Sequence, residues 1–324
     1  MNAIRVDRTG GPDVLQLADV PTPSPGPGEA LVRHTASGIN YIDVYLRTGL
    51  YKRDLPFIDG QEGAGVVEAV GTGVTAVKPG DRVAYATAPG LGGYADANAV
   101  PAEKLVAIPD GIDDRTACAL MLQGMTAQYL VSDTFPLRAG HVALVHAAAG
   151  GVGSILVQLA KARGATVIAT VGTDDKAKLA REAGADHVIV YAEEDFAEAT
   201  VKLIGEHAVD VAYDSVGKDT WERSLSLLRK RGTLVVYGNA SGPMPPIEPQ
   251  RLAAAGSVYL TRPTLFDYLR TRDELLGRAD ELFAAVRAGK LHARIGATYP
   301  LADAARAHTD LEARKTVGKL LLIP

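Results

Sequence analysis

The segment that most constrains this chain begins with His141-Val142-Ala143-Leu144-Val145-His146. It continues through Ala147-Ala148-Ala149-Gly150-Gly151-Val152-Gly153 into an amphipathic stretch that runs to about Arg163. The pattern reads as an apolar strand, a glycine-rich turn and a helix, with a second β-branched run at 165–171 directly behind. Strand, glycine turn, helix and strand within about 30 residues form the first unit of a dinucleotide-binding fold. Glycine lets backbone approach a pyrophosphate, and the helix N-terminus offers unbonded N–H groups and a positive dipole. The fingerprint Ala148-x-Gly150-x-x-Gly153 lacks its first glycine. Taken alone, it also fits a glycine turn in another kind of α/β protein.

The downstream pattern decides between them. A connecting helix is expected at 121–131, then strand-like runs at 142–146, 165–171, 186–191, 209–213, 233–237 and 257–261, with helical segments between. Six strands with crossover helices make a complete doubly wound sheet. Upstream, residues 1 to about 115 are short strands broken by Gly and Pro. The connector Pro21, Pro23, Pro25, Gly26, Pro27 and Gly28 excludes helix, and turn residues at Gly90, Gly92 and Gly93 precede another strand. This half predicts a small barrel or sandwich. One helix interrupts it at 41–47, with Asn40 as its cap, Asp43 in its first turn and Gly49 past its end.

After Pro263 come two amphipathic helices, about 264–288 and 301–312, and a last strand at 319–323. That tail exceeds the six-strand sheet, so it is expected to return to the first domain. The expected domains are therefore 1–120 completed by 263–324, and 121–262, with a ligand cleft between them. A length of 324 residues suits two domains.

A net charge of −4 without a dense Lys/Arg run argues against nucleic acid as a partner. No run of about 18 apolar residues offers a membrane span. The single cysteine, Cys118, excludes an intramolecular disulfide and lies in an apolar setting that suits an inert core thiol. The first residues lack a signal-type apolar core, and the expected location is cytoplasmic. His34, His146 and His308 stand alone on strands or helices and are read as structural.

An NAD-binding protein of this kind ends its second strand with an acid for the ribose 2′-hydroxyl. Here that strand ends Thr170-Val171-Gly172-Thr173, with no acid. Gly172 and Thr173 leave room for a 2′-phosphate, and Lys176 can add a charge-assisted contact. NADPH is therefore the expected cofactor, although Asp174 and Asp175 speak for the other choice and Lys176 also fits a solvated first-turn residue.

Several motifs in one order resemble the medium-chain dehydrogenase/reductase superfamily. They resemble most closely its zeta-crystallin-like NADPH:quinone oxidoreductases. The carrying stretches are Gly38-Ile39-Asn40-Tyr41-Ile42-Asp43-Val44-Tyr45, the turn 146–153, Tyr213-Asp214-Ser215-Val216-Gly217, Tyr237-Gly238-Asn239-Ala240-Ser241-Gly242 and Tyr259-Leu260-Thr261-Arg262-Pro263. The resemblance runs the whole length, to the closing 318–324. It implies an α/β protein with a six-stranded doubly wound Rossmann domain and a GroES-like β-barrel catalytic domain.

By that resemblance Gly150, Gly151, Val152 and Gly153 receive the pyrophosphate. Gly172, Thr173 and Lys176 meet the 2′-phosphate, with Tyr191 beside the adenosine and Arg314 reaching toward it from near the C-terminus. Asn40, Tyr41, Tyr45, Thr126, Asn239 and Arg262 border the nicotinamide, and Ser215, Gly238 and Ser241 complete the cofactor set.

Zinc relatives use a first-domain Cys, a Gly-His-Glu and a four-cysteine lobe. This chain has one cysteine, outside those segments, and Gly60-Gln61-Glu62 where that His would stand, so a zinc-free enzyme is expected. Without a Lewis acid, alcohol oxidation is disfavoured, whereas a quinone already accepts hydride. Asn40, Asp43, Tyr45 and Tyr51 are the candidates for orienting a small quinone or supplying a proton. They serve equally well as a cap and a buried helical face. The alternatives are a reductase of activated C=C bonds such as enones or 2-alkenals, or a non-catalytic NADPH-binding protein, whether structural or RNA-binding. A homodimer is expected through the strand edge at 257–261.

Overall fold

In the computed structural model, which describes residues 1–86 and 92–324, the chain forms two compact units. The first comprises Met1–Met125 and Tyr268–Pro324, the second Thr126–Asp267. Gly90 lies outside the described residues.

The first segment runs β1 (Asn2–Val6), β2 (Gln16–Asp19), β3 (Glu29–Ile39), α1 (Tyr41–Arg47), β4 (Phe57–Ile58), β5 (Glu62–Val70), β6 (Arg82–Ala86), β7 (Ala97–Pro101), β8 (Val106–Ala107) and α2 (Asp114–Ala119). A π-helical turn, Leu120–Gly124, and α3 (Met125–Tyr129) follow, then a second π turn at Leu130–Thr134. The second unit adds β9 (Val142–Val145), α4 (Gly151–Ala162), β10 (Thr166–Val171), α5 (Asp174–Glu182), β11 (His187–Val190), α6 (Phe196–Ile204), β12 (Val209–Asp214), α7 (Trp221–Leu227), β13 (Leu228–Val236), α8 (Pro249–Ala254) and β14 (Tyr259–Thr261). The return segment supplies α9 (Arg272–Arg287), β15 (Ile295–Pro300), α10 (Ala304–Glu312) and β16 (Lys319–Ile323).

The spine of the first unit is the 11-residue β3. One of its edges pairs with β5, through bulges between Leu31 and Val32 and between His34 and Ala36 that bend the strand. Its other edge is shared. Residues 29–33 pair with β7, and Ser37 to Ile39 pair with β16, so the last strand belongs to the sheet of the first unit. The sheet order is β15-β16-β3-β5-β6-β8, and β2-β1-β4 forms a smaller sheet beside it. Leu320 and Leu322 of β16 are fully buried and share one apolar core with Ile4, Val6, Ile39 and Leu46.

In the second unit all six strands are parallel, in the order β11-β10-β9-β12-β13-β14. The first strand and the fourth therefore lie side by side at the centre, where the winding direction reverses. In a doubly wound sheet the ligand crevice lies outside the carboxyl ends of the strands at that point. Strands buried on both faces need continuous apolar runs, and β9 and β10 supply them.

Three expectations about elements need correction. The helical run expected at 121–131 begins earlier, at Asp114, because Asp113 caps it by accepting from the Thr116 N–H at 2.9 Å. The tail also holds a strand the pattern concealed, β15, in which Gly296 and Pro300 break the usual signal while the strand pairs in parallel with β16. Finally, β13 starts at Leu228 rather than 233, because its charged opening, Arg229-Lys230-Arg231, hides the strand and Arg231 takes a left-handed φ of 61°.

Candidate functional site

Every second-unit residue proposed for the cofactor, apart from Thr126, falls at the carboxyl edge of the parallel sheet. The turn after β9 begins with Ala147 at φ 51° and reaches α4 at Gly150. The first intrahelical bond runs from Ser154 N–H to Gly150 carbonyl, 2.9 Å. The N–H groups of Gly151, Val152 and Gly153 thus precede the helical ladder and lie at its open N-terminus. Gly153 is required by sterics, because a Cβ there would sit 2.3 Å from the Ala147 carbonyl oxygen. At Gly150 the same oxygen would be 3.1 Å away. The glycine missing from the fingerprint is Ala148, which is fully buried.

At the end of β10, a Cβ on Gly172 would lie 2.8 Å from the Tyr191 hydroxyl, so Tyr191 occupies the place an acidic side chain would need. Thr173 caps α5, its hydroxyl accepting from Lys176 N–H at 3.3 Å. Asp174 and Asp175 are exposed in the first turn, and Asp175 pairs with Lys178 at 2.9 Å. The loops after β12 and β13 interlock. Asp214 accepts from the N–H groups of Val216 and Gly217, while Ser215 carbonyl accepts from Ala240 N–H and Val216 carbonyl from Ser241 N–H. A Cβ on Gly238 would meet the Ser215 carbonyl oxygen at 2.4 Å, so glycine is needed where these loops cross. Asn239 and Ser241 ride on this platform, and Arg262 follows β14 directly. Thr126 opens the second unit and is buried.

In the first unit, Tyr41, Tyr45 and Tyr51 form a row of rings, with centroids 6.1 Å and 5.2 Å apart. Arg314 is exposed just past α10, with a left-handed φ of 58°. The expected cap at Asn40 takes the form of a capping box with Asp43. The Asp43 carboxylate accepts from the Asn40 backbone N–H at 2.8 Å, and the Asn40 amide has further partners. Its Oδ1 accepts from Lys319 Nζ at 2.9 Å and from Gln123 Nε2 at 3.1 Å, and its Nδ2 donates to Glu62 Oε2 at 2.9 Å. Lys319 and Glu62 are themselves ion-paired, and both are buried. Glu62 also accepts from Leu122 N–H at 2.7 Å.

Asp43 is fully buried and accepts a hydrogen bond from the Tyr94 hydroxyl at 2.8 Å. Tyr94 in turn meets His308 Nε2 at 3.1 Å. Burial, with Asp59 nearby, pushes the Asp43 carboxyl well above the usual carboxylate range. Burial likewise raises Asp59 to about 7, against the lowering pull of Gly60 N–H, Arg53 and Arg47. Burial lowers His34 to about 4 and His308 to about 3. His146 is buried between the Thr170 and Ser224 hydroxyls, each 2.8 Å away. The histidines are thus internal hydrogen-bonding groups. Cys118 is buried against the Ala36 carbonyl, and burial pushes its thiol up.

Sequence reading missed Lys319, Gln123, Tyr94 and Asp59, and took Glu62 only as the neighbour of an absent ligand. For Lys319, Glu62 and Asp59 the one signal is a charged residue at the end of an apolar strand, a pattern that usually means solvent.

The buried carboxyls make stability depend on pH. Unfolded Asp ionises near 3.9, whereas native Asp59 keeps its proton to about 7. Across that window the native state binds more protons, so this contribution falls as pH rises. His34 and His308 act in the opposite direction, because unfolded His binds a proton below about 6.5 and the native rings do not. Asp59→Asn removes the Asp59 part of the falling contribution and eases that of Asp43, which Asp59 helps to raise, while leaving the histidines. Its melting temperature should therefore gain on wild type as pH goes from about 4.5 to about 7.5, and a constant difference would contradict this.

Together these features define a Rossmann-type dinucleotide-binding protein with an added β-rich domain. Residues 26–110 match the alcohol dehydrogenase GroES-like domain, and 151–278 match the family of zinc-binding dehydrogenases. The chain is 50% identical to a quinone oxidoreductase of Pseudomonas aeruginosa over 97% of both chains. It is 44% identical to a 2-haloacrylate reductase of a Burkholderia species over 98% of both. The solved quinone oxidoreductase of Escherichia coli complexed with NADPH superposes at a TM-score of 0.97, with 44% identity and full coverage of both chains. The chain belongs to the quinone oxidoreductase family of the medium-chain dehydrogenase/reductase superfamily. Among the described residues no three His, Cys, Asp or Glu side chains are grouped to hold a metal ion.

Proposed function

We propose that this protein is a zinc-independent NADPH:quinone oxidoreductase acting on small quinones. The observation that carries this reading is the carboxyl edge of the six-stranded sheet. There the glycine turn, the acid-free end of β10 and the interlocked 214–217 and 238–242 loops lie along one edge, which supports a phosphate- and nucleotide-holding role for it. NADPH bound there supplies the hydride. The chain's own part is to bind, orient and exclude water. Gly150 to Gly153 hold the pyrophosphate, and Gly172, Thr173 and Lys176 hold the 2′-phosphate with Tyr191 beside the adenosine. Arg314 adds a further cation. Ser215, Gly238 and Ser241 support the far half of the cofactor, and Tyr41, Thr126, Asn239 and Arg262 border the nicotinamide. Asn40, Tyr45 and Tyr51 orient the quinone. Asp43, buried and tied to Asn40 N–H, acts as a positioning residue for α1 and not as a proton donor to solvent-borne substrate.

Reduction of activated C=C bonds is the second reading, favoured by the likeness to the 2-haloacrylate reductase. Both presentations place a conjugated carbonyl before the same hydride. Initial rates with 1,4-benzoquinone and with a 2-alkenal separate them: a higher kcat/KM on the quinone is expected, and a higher value on the alkenal would overturn that choice. We further infer a homodimer in a reducing cytoplasm. It would form through the edge strand β14, where Tyr259 is 62% exposed, and the buried thiol of Cys118 suits that compartment.

The 2′-phosphate assignment has its own test. Lys176→Ala should weaken NADPH about tenfold, the lower end for a charge-assisted hydrogen bond at a half-exposed site, and leave NADH unchanged. Fluorescence titration with both cofactors checks this, and equal losses would contradict it.

A further inference from the structure

We infer that Lys319 is a positioning residue for Asn40: its buried ammonium, held by the Glu62 carboxylate, fixes the single orientation in which the Asn40 amide serves the reaction. The inference rests on the reading that Asn40 orients the quinone or nicotinamide. An amide has two ends that differ only in what they accept or donate. Lys319 Nζ is donor-only and lies 2.9 Å from Oδ1, while the Glu62 carboxylate is acceptor-only and lies 2.9 Å from Nδ2. The two charges face opposite ends of one amide, so rotating it by half a turn would set donor against donor and acceptor against acceptor. Gln123 Nε2 adds a second donor to Oδ1 at 3.1 Å.

The scaffold holds this arrangement rigidly. Lys319 opens β16, whose next residue pairs with Ile39 beside Asn40, and Glu62 opens β5 on the opposite edge of β3. Gly38 is the gap that admits the pair, because a Cβ there would lie 2.1 Å from Glu62 Oε2 and 2.7 Å from Lys319 Nζ. The ion pair is 2% and 0% exposed, so water does not compete for Asn40. A buried pair of this kind adds little to stability relative to apolar residues, which leaves specification of geometry as its contribution.

The test is a double-mutant cycle on four proteins: wild type, Asn40→Ala, the charge-free pair Glu62→Gln with Lys319→Met, and the triple variant. Circular dichroism checks folding and fluorescence titration measures NADPH binding in each. If the first pair does not fold, Glu62→Met with Lys319→Met carries the same cycle. The expected result is a kcat on 1,4-benzoquinone at least about tenfold lower for the pair variant, with NADPH affinity within about twofold of wild type and the triple variant no slower than Asn40→Ala alone. A pair variant as fast as wild type, or a triple variant showing the product of the two losses, overturns the inference. Failure of the underlying reading looks different: wild type would not turn over quinone with NADPH, or Asn40→Ala would be fully active.

Discussion

Gly153→Ala is expected to lower the affinity for NADPH by about a hundredfold, close to 3 kcal/mol, while leaving the protein folded. The added methyl would lie 2.3 Å from the Ala147 carbonyl oxygen and 2.9 Å from Ala147 C and Ala148 Cα. All three are backbone atoms, so no side chain can swing aside. The turn must move off the start of α4 to relieve the clash. That movement displaces the N–H groups of Gly151, Val152 and Gly153, which are the groups assigned to the pyrophosphate. Gly150→Ala serves as the internal comparison. Gly150 has an ordinary φ of −77°, and its added carbon would meet the same oxygen at 3.1 Å, a distance that a few tenths of an ångström relieves. Its loss should be markedly smaller. Melting with and without NADPH reads both variants, since a ligand that binds only the native state raises stability by RT ln(1 + [L]/Kd). NADPH at about tenfold the wild-type Kd should raise the melting temperature of wild type and Gly150→Ala but barely that of Gly153→Ala. Equal shifts in all three would contradict the assignment.

The second large effect is on stability. Lys319→Met alone should cost about 3–5 kcal/mol, because it strands the fully buried Glu62 carboxylate without its cation. Adding Glu62→Gln should restore most of that loss, since the pair in its neutral form leaves no uncompensated charge. The two units need not unfold together, so the transition to follow is that of the first unit, which contains both residues. A single variant that loses less than about 1 kcal/mol would mean that the ammonium is solvated, and the buried-pair account would fail.

How much of this was legible in sequence depended on periodicity. The six parallel strands announce themselves as apolar runs at regular spacing, and the carboxyl-edge residues follow because each run ends in the loop that carries them. Gly172 was readable as an absent acid, although only the structure adds that Tyr191 occupies the space beside it. The first unit was harder to read. Its 11-residue spine is bent by bulges that no alternation pattern encodes. Lys319, at the head of Leu320-Leu321-Leu322, looks like a solvent-facing cation, and only the pairing of β16 with β3 brings it to Asn40 from 279 residues away. Asn40 was legible as the cap at the helix start, but its buried charged partners were not. Capping preference is a local rule, whereas the pull of a buried lysine and glutamate is a tertiary one.

The central claim is that the sheet edge holds NADPH in particular and that hydride passes to a quinone without a metal. Initial rates with 1,4-benzoquinone, measured with NADPH and with NADH before and after exhaustive chelation, test it most directly. The account predicts a higher kcat/KM with NADPH and no change on chelation. Preference for NADH, or activity lost to the chelator and restored by zinc, would contradict it.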